Sequence, residues 1–510
     1  MRRPAFASTW WAWVAALTSL VAPGASHAAG APLEACRVSG IRNGILCGVV
    51  ERPLDPERPA GATIEVHYIV VPAMARRKLP DPVFVFAGGP GQSAIGIAAS
   101  TLPLFSRLNN RRDIVFVDQR GTGRSAPLAC TDPTHESLAA QADPNRPFAR
   151  MMECKAALMK LPYVRTPSDL GLFTTTIAMQ DFDAVRRKLG AERINLVGVS
   201  YGTRAALEYM RQFPASVRRS VLDAVAPPDM ALPDSFSTDG QAAWDALLRA
   251  CELEIACHRR HPTLRQDWAA LLDSLPKPVT VAHPLTGTPE DFQLTRAMVL
   301  GAVRGALYSP AVAAALPVAI AESARGHYEG LVGLGALLAS RPSLQPALGM
   351  HFSVVCAEDM PGLALAGHAS SPDAGGTRPN NPPGVDFGTD QAELYQKVCT
   401  DWPRGTVPAA FYRILPSTVP TLLFSGGIDP VTPPRHGERV AKALGPNARH
   451  VVVPNAGHGV MAIGCARDVI YRFIEADDDR EATKVDASCL AGIPRPPVFE
   501  PVGAPMEAVK

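Results

Sequence analysis

The chain predicts a domain of the α/β class, a mostly parallel central sheet flanked by helices, interrupted by one large and mainly helical insertion. Three observations carry this. Short apolar runs at residues 82–87, 113–117, 194–197 and 421–424 each end in a loop rich in glycine or acid, as strands buried on both faces of a parallel sheet do. Residues 176–189, with Ile177, Phe182, Val185 and Leu189 at helical spacing, separate two of those runs. From about residue 229 to 416 the strand–helix alternation stops, and stretches at 241–251, 264–274, 294–307, 311–324 and 328–340 all read as helix.

At 510 residues with 47% hydrophobic side chains, the chain can bury a large core in one domain with an insertion, or in two. A net charge of only +2 gives no electrostatic reason to expect nucleic acid or an anionic membrane as partner. Arg2 and Arg3, the apolar stretch 10–21, Pro23-Gly24, and small residues Ser26 and Ala28 read as a signal peptide over 1–28. The stretch is too short to span a ~30 Å hydrocarbon core, so no stable membrane insertion is expected once the leader is removed.

The expected organisation is then a first core part over 29–229, a helical cap over 230–416, a second core part over 417–490, and a tail over 491–510. Within the first part, residues 62–72 alternate as a strand and 220–226 read as the strand after the second helix. The glycine-, proline- and serine-rich stretch 369–389 is either a mobile flap or an excursion without catalytic role.

All ten cysteines lie beyond the leader, an even number in a chain bound for an oxidising compartment, periplasmic or extracellular. They fall into successive close pairs: Cys36 with Cys47, Cys130 with Cys154, Cys251 with Cys257, Cys356 with Cys399, and Cys465 with Cys489. The alternative is that two or more stay reduced and buried as small hydrophobes. Cys251, Cys257, His258 and His261 match no common zinc spacing, so no metal is expected. Gly121-Thr122-Gly123 lacks the third glycine of a dinucleotide fingerprint, and no cofactor is called for.

The chemistry concentrates in three places. Gly198-Val199-Ser200-Tyr201-Gly202 stands between a strand and a helix and reads as a nucleophile elbow, whose sharp turn leaves no room for side chains two residues either side of the serine. Asp429 ends the run that starts at Thr421, and His458 follows the strand-like residues 450–454. A serine hydroxyl needs a base, and the base needs a carboxylate to fix its tautomer and stabilise its charged form. Ser200, His458 and Asp429 supply these roles in the chain order Ser, Asp, His. The oxyanion formed on attack needs fixed donors, which the backbone N–H groups of Tyr201 and Gly89 can provide.

Together with Gly88-Gly89-Pro90-Gly91-Gln92-Ser93-Ala94, Asp118-Gln119-Arg120-Gly121-Thr122-Gly123-Arg124-Ser125, Thr203-Arg204 and Pro430-Val431-Thr432-Pro433, these motifs resemble the α/β-hydrolase exopeptidases of the prolyl and tripeptidyl aminopeptidase family, over residues 35–490. The resemblance implies the α/β-hydrolase fold with its cap between core strands six and seven. Ala87 stands where prolyl aminopeptidases usually carry a histidine, which leans the likeness toward the secreted tripeptidyl branch. It also implies cap acids that hold the substrate's free amine; Glu358 and Asp359 are the candidates, the alternative being a solvated pair at a helix or loop end. Arg120 and Arg124 read as loop-pinning residues.

The expected function is a secreted serine exopeptidase that removes short peptides, of three residues in the specific guess, through an acyl-enzyme on Ser200. Its partners are short peptides. The alternatives are an esterase or amidase with the same triad, and a binding protein on an inactive hydrolase scaffold.

Overall fold

The computed structural model describes residues 33–130, 136–339, 345–361 and 386–499. The leader 1–28, most of the stretch 369–389 and the end of the C-terminal tail lie outside them.

Among the described residues, eleven strands form one nine-stranded sheet and one hairpin. In chain order they are β1 (Glu34–Cys36), β2 (Ile45–Pro53), β3 (Thr63–Val71), β4 (Val83–Phe86), β5 (Ile114–Val117), β6 (Ile194–Val199), β7 (Val217–Asp223), β8 (Lys277–Ala282), β9 (Pro289–Leu294), β10 (Thr421–Gly426) and β11 (Ala448–Val453). The large sheet runs β1-β2-β3-β5-β4-β6-β7-β10-β11. Its first three strands are antiparallel to their neighbours, and from β5 onward every pairing is parallel.

The period of two in β4, β5 and β10 divides their side chains between two buried faces. Phe84, Phe86, Val115, Val117 and Leu423 enter one core, while Val83, Val85, Ile114, Phe116, Leu422 and Phe424 enter the other. Helix α1 (Ala94–Thr101) packs on the second face. On the first lie α2 (Thr175–Lys188) and α3 (Tyr201–Gln212). Thr174 caps α2 by accepting the Ile177 N–H, and three basic residues in its last turn complement the helix dipole.

Residues 224–420 are inserted between β7 and β10, next to each other in the sheet. They include α4 (Leu232–Leu253), the β8–β9 hairpin, α5 (Arg296–Leu307), α6 (Leu348–Glu358) and α7 (Asp390–Asp401). Part of this insertion has its own apolar core, built on Trp244, Trp268, Val303 and Ile320. Helix α6 differs: Met350, Val354 and Val355 join the core against the main sheet, and so do Val398 and Cys399 of α7. After β10, α8 (Pro434–Leu444) packs on the first face, and after β11, α9 (Ala466–Glu475) on the second.

Three local readings are corrected. The strand expected at 220–226 is Val217–Asp223, because Ala224 turns out of the sheet at φ +57°. Leu294 ends β9 rather than starting a helix; Thr295 caps α5 by accepting the Met298 N–H. The helix expected at 311–324 is two, Pro310–Ala313 and Leu316–Ala324. The five expected disulfides are all present, and the Cys251–Cys257 bridge occupies both thiols of the cluster set aside as a metal site.

Candidate active site

The loops after β4, β5, β6, β10 and β11 all leave the carboxyl edge of the parallel strands, where ligand sites of open α/β sheets form. Ser200 is the residue between β6 and α3. Its φ of 57° and ψ of −126° lie in a region that a side chain adopts only under constraint from its surroundings. The constraint is visible: the Ser200 N–H donates to the Asp223 carbonyl at 2.9 Å, and its carbonyl accepts the Thr203 hydroxyl at 2.6 Å. A Cβ on Gly198 would collide with the Gly202 carbonyl, and one on Gly202 with the Phe86 carbonyl, which is why both flanks are glycine.

The Gly88 loop closes against this turn, since a Cβ on Gly88 would stand 3.3 Å from that of Ser200. Gly89 has φ +111°, and a side chain there would press on the Gly91 amide. Tyr201 is the first residue of α3, so its N–H belongs to the turn of amides that a helix leaves without an internal partner. Asp118 ties the loops after β4 and β5 together, accepting from the Ser93 hydroxyl at 2.6 Å and from the amides of Ile95 and Arg124.

His458 and Asp429 meet as expected. His458 Nδ1 donates to Asp429 Oδ2 at 2.9 Å, leaving Nε2 as the imidazole's remaining nitrogen. Asp429 is buried and also accepts the Val431 and Thr432 amides and the Thr432 hydroxyl. Burial pushes its carboxyl up, but the charge and hydrogen bond of His458, with those amides, hold it below the usual carboxylate range. Burial likewise pushes the imidazole down, and Asp429 outweighs it, so His458 is raised. Such an imidazole can take a proton and keep the resulting charge beside a carboxylate.

Four supports were not legible beforehand. Asp223, at the end of β7, accepts the amides of Val460 and Met461 and anchors the turn after His458. Burial raises its carboxyl to about 6 against those hydrogen bonds. Thr432, inside the quoted Asp-Pro-Val-Thr motif, braces Asp429. Tyr308, from the insertion, accepts the His458 amide on its carbonyl at 2.9 Å and lays its ring edge-on to the imidazole at 5.0 Å. Asp118 is the fourth.

Ser200, Gly88, Gly89, Tyr201 and His458 line one cavity of about 700 Å³ that also meets the insertion at Phe236, Tyr308 and Tyr395. The two candidate amine-binding acids part company here. Asp359 lines the cavity, whereas Glu358 is absent from its wall. Glu358 accepts the Thr175 amide at 2.7 Å and hydroxyl at 2.9 Å, at the N-terminus of α2, and burial raises it to about 7. Thr175 in turn shares a hydrogen bond with the Tyr201 hydroxyl, which accepts from Gln119. Asp359 is held by both outer nitrogens of Arg204, at 2.9 and 3.1 Å, and by the Leu232 amide. Neither acid is the solvated surface residue of the alternative, both being about 1% exposed. Arg120 is fully buried on Asp181 and the Leu54 carbonyl, away from the cavity, while the Arg124 side chain is exposed.

Residues 81–253 match the α/β hydrolase fold family, and residues 383–485 the TAP-like protein family. A tripeptidyl aminopeptidase of Streptomyces coelicolor is 32% identical over 195 residues, so the match spans 36% of this chain and 36% of that relative. Serine protease Hip1 of Mycobacterium tuberculosis is 25% identical over 441 residues, 81% of this chain and 83% of its own. A solved esterase from Exiguobacterium antarcticum aligns with 81% of this chain and 93% of its own at 14% identity and a TM-score of 0.32. With the elbow, glycine loop and His–Asp pair at one sheet edge, the chain has the α/β hydrolase fold, and the relatives it resembles include tripeptidyl aminopeptidases.

Proposed function

We propose that the protein is an exported serine exopeptidase that releases short fragments, tripeptides in the specific reading, from peptides with a free N-terminus. The observation that carries it is the placement of Asp359 on the wall of the cavity that Ser200 and His458 share. A peptide whose ammonium docks at Asp359 runs from that anchor to the nucleophile, and the distance between them selects the bond cut.

In this reading Ser200 Oγ attacks the scissile carbonyl as His458 Nε2 takes its proton. The carbonyl oxygen gains charge facing the amides of Gly89 and Tyr201. Loss of one such donor costs about a hundred- to a thousandfold in turnover. His458 then protonates the departing amine, and water activated by the same nitrogen hydrolyses the acyl-enzyme. The insertion at 230–416 serves as the cap that closes the amine end. Five disulfides and the leader-like residues 1–28 support export.

The esterase or amidase reading draws on one observation, the Arg204 clamp that already neutralises Asp359. Matched peptides with free and N-acetylated termini separate the two. The exopeptidase loses nearly all turnover on acetylation; unchanged turnover overturns it in favour of the alternative.

A further inference from the structure

A second cavity of about 330 Å³ lies beyond the candidate active site, and His351 and Tyr395 line both. We propose that this second cavity is an occluded extension of the substrate site, and that the His351–Tyr395 pair is the end wall that sets the length of the released N-terminal fragment. The inference rests on the exopeptidase reading.

The pair is built as a wall. His351 Nδ1 lies 3.2 Å from the Pro90 carbonyl, which can only accept, so this nitrogen carries the proton. Nε2 then accepts from the Tyr395 hydroxyl at 2.7 Å. The two rings meet edge-on at 5.6 Å, and Phe352 and Phe236 pack on Tyr395 at 5.1 and 5.5 Å. Both wall residues are buried, at 7% and 6% exposure. One comes from α6 and the other from α7, which Cys356–Cys399 ties together, so the wall is cross-braced covalently as well.

Its position suits the role. Pro90 belongs to the glycine loop beside Ser200, and Asp359 lines the same cavity as His351 and Tyr395. The wall therefore stands at the amine end of the site. Behind it the space equals that of about ten waters at ~30 Å³ each, room for one or two further residues. Met151, Leu348 and Leu394 give that space an apolar floor, while Arg146 and Arg150 flank it. A fragment longer than the first cavity allows meets two aromatic rings where its amine would have to pass.

The test is mass spectrometry of the fragments released from an unblocked ladder peptide by wild type, Tyr395→Phe, Tyr395→Ala and His351→Ala. Tyr395→Phe keeps the bulk and should release the wild-type length. Tyr395→Ala and His351→Ala merge the cavities and should shift at least a third of the product to fragments one or two residues longer. Labelling of Ser200 by a fluorophosphonate reports which variants are folded, and Tyr395→Leu replaces an alanine variant that is not. Folded wall variants that release only the wild-type length overturn the end-wall inference. A wild type that cleaves esters but releases nothing from free termini overturns the exopeptidase reading instead.

Discussion

At the scale of single residues, the roles proposed for Ser200, His458 and Asp429 make different demands on chemistry, and these can be told apart. Ser200→Ala removes the nucleophile and should cost about a millionfold in kcat, with peptide binding retained by equilibrium dialysis. Asp429→Asn preserves shape but offers His458 Nδ1 an amide in place of a carboxylate. A loss of about ten-thousandfold is expected, and a loss under tenfold would remove Asp429 from the relay. The pH profile follows from the directions of the shifts. His458 must be neutral to accept the serine proton, and its value is raised, so kcat/KM should climb through one ionisation above the ordinary 6.5. The pair's stability runs the other way. Its His458 part is fully present below the unfolded histidine value and is lost as pH rises through the raised one. The Asp429 part is present above the unfolded carboxylate value and is lost as pH falls through the depressed one. Activity should thus rise with pH while the pair's contribution to the melting temperature falls.

At the scale of elements, the strands and the turn at Ser200 were legible because their signals are local. A period of two, an apolar run and a glycine-flanked serine can be read within ten residues, and β4, β5, β6 and β10 appear within two or three residues of where those signals put them. Strand β1, at the edge of the sheet, and β2 beside it are half-exposed and carry no clean alternation. The β8–β9 hairpin hides among helices because Pro278 and Pro289 interrupt its pattern. The ion pairs buried between distant elements left no trace. Arg204 and Asp359 are 155 positions apart, and nothing near either announces the other. Their pair nonetheless joins the nucleophile helix α3 to the end of α6, both partners nearly fully buried. Removing one partner of such a pair leaves an uncompensated charge and costs about 3–5 kcal/mol. Arg204→Met should therefore lower unfolding stability by that amount in a denaturant titration, and a change below 1 kcal/mol would show the pair to be superficial. Asp223 is a comparable case. Asp223→Ala strands the Val460 and Met461 amides, each at a cost of about 1–3 kcal/mol, and should lower kcat with the turn that carries His458.

Across the whole molecule, in the proposed reading, the core supplies the relay and the insertion the wall of the substrate site, and each disulfide stays within one of the two: Cys251–Cys257 and Cys356–Cys399 in the insertion, the other three in the core. Cys356–Cys399 joins α6, which leads directly into Asp359, to α7, which carries Tyr395. Neither helix bears Ser200, Asp429 or His458, so in the exopeptidase reading the bridge orders the amine end without touching the relay. Closing a loop of 43 residues restricts the unfolded chain, for which a stabilisation of about 3–4 kcal/mol is expected. In the Cys356→Ala/Cys399→Ala protein the melting temperature should drop accordingly. The functional effect should be selective: KM for unblocked peptides rises several-fold while the rate of Ser200 labelling by a small fluorophosphonate stays within twofold of wild type. A parallel loss of both would mean that α6 and α7 hold the nucleophile as well as the substrate. An unchanged KM would mean that noncovalent packing of Phe352, Tyr395 and Trp402 already fixes the wall, leaving the bridge to act on the unfolded chain alone.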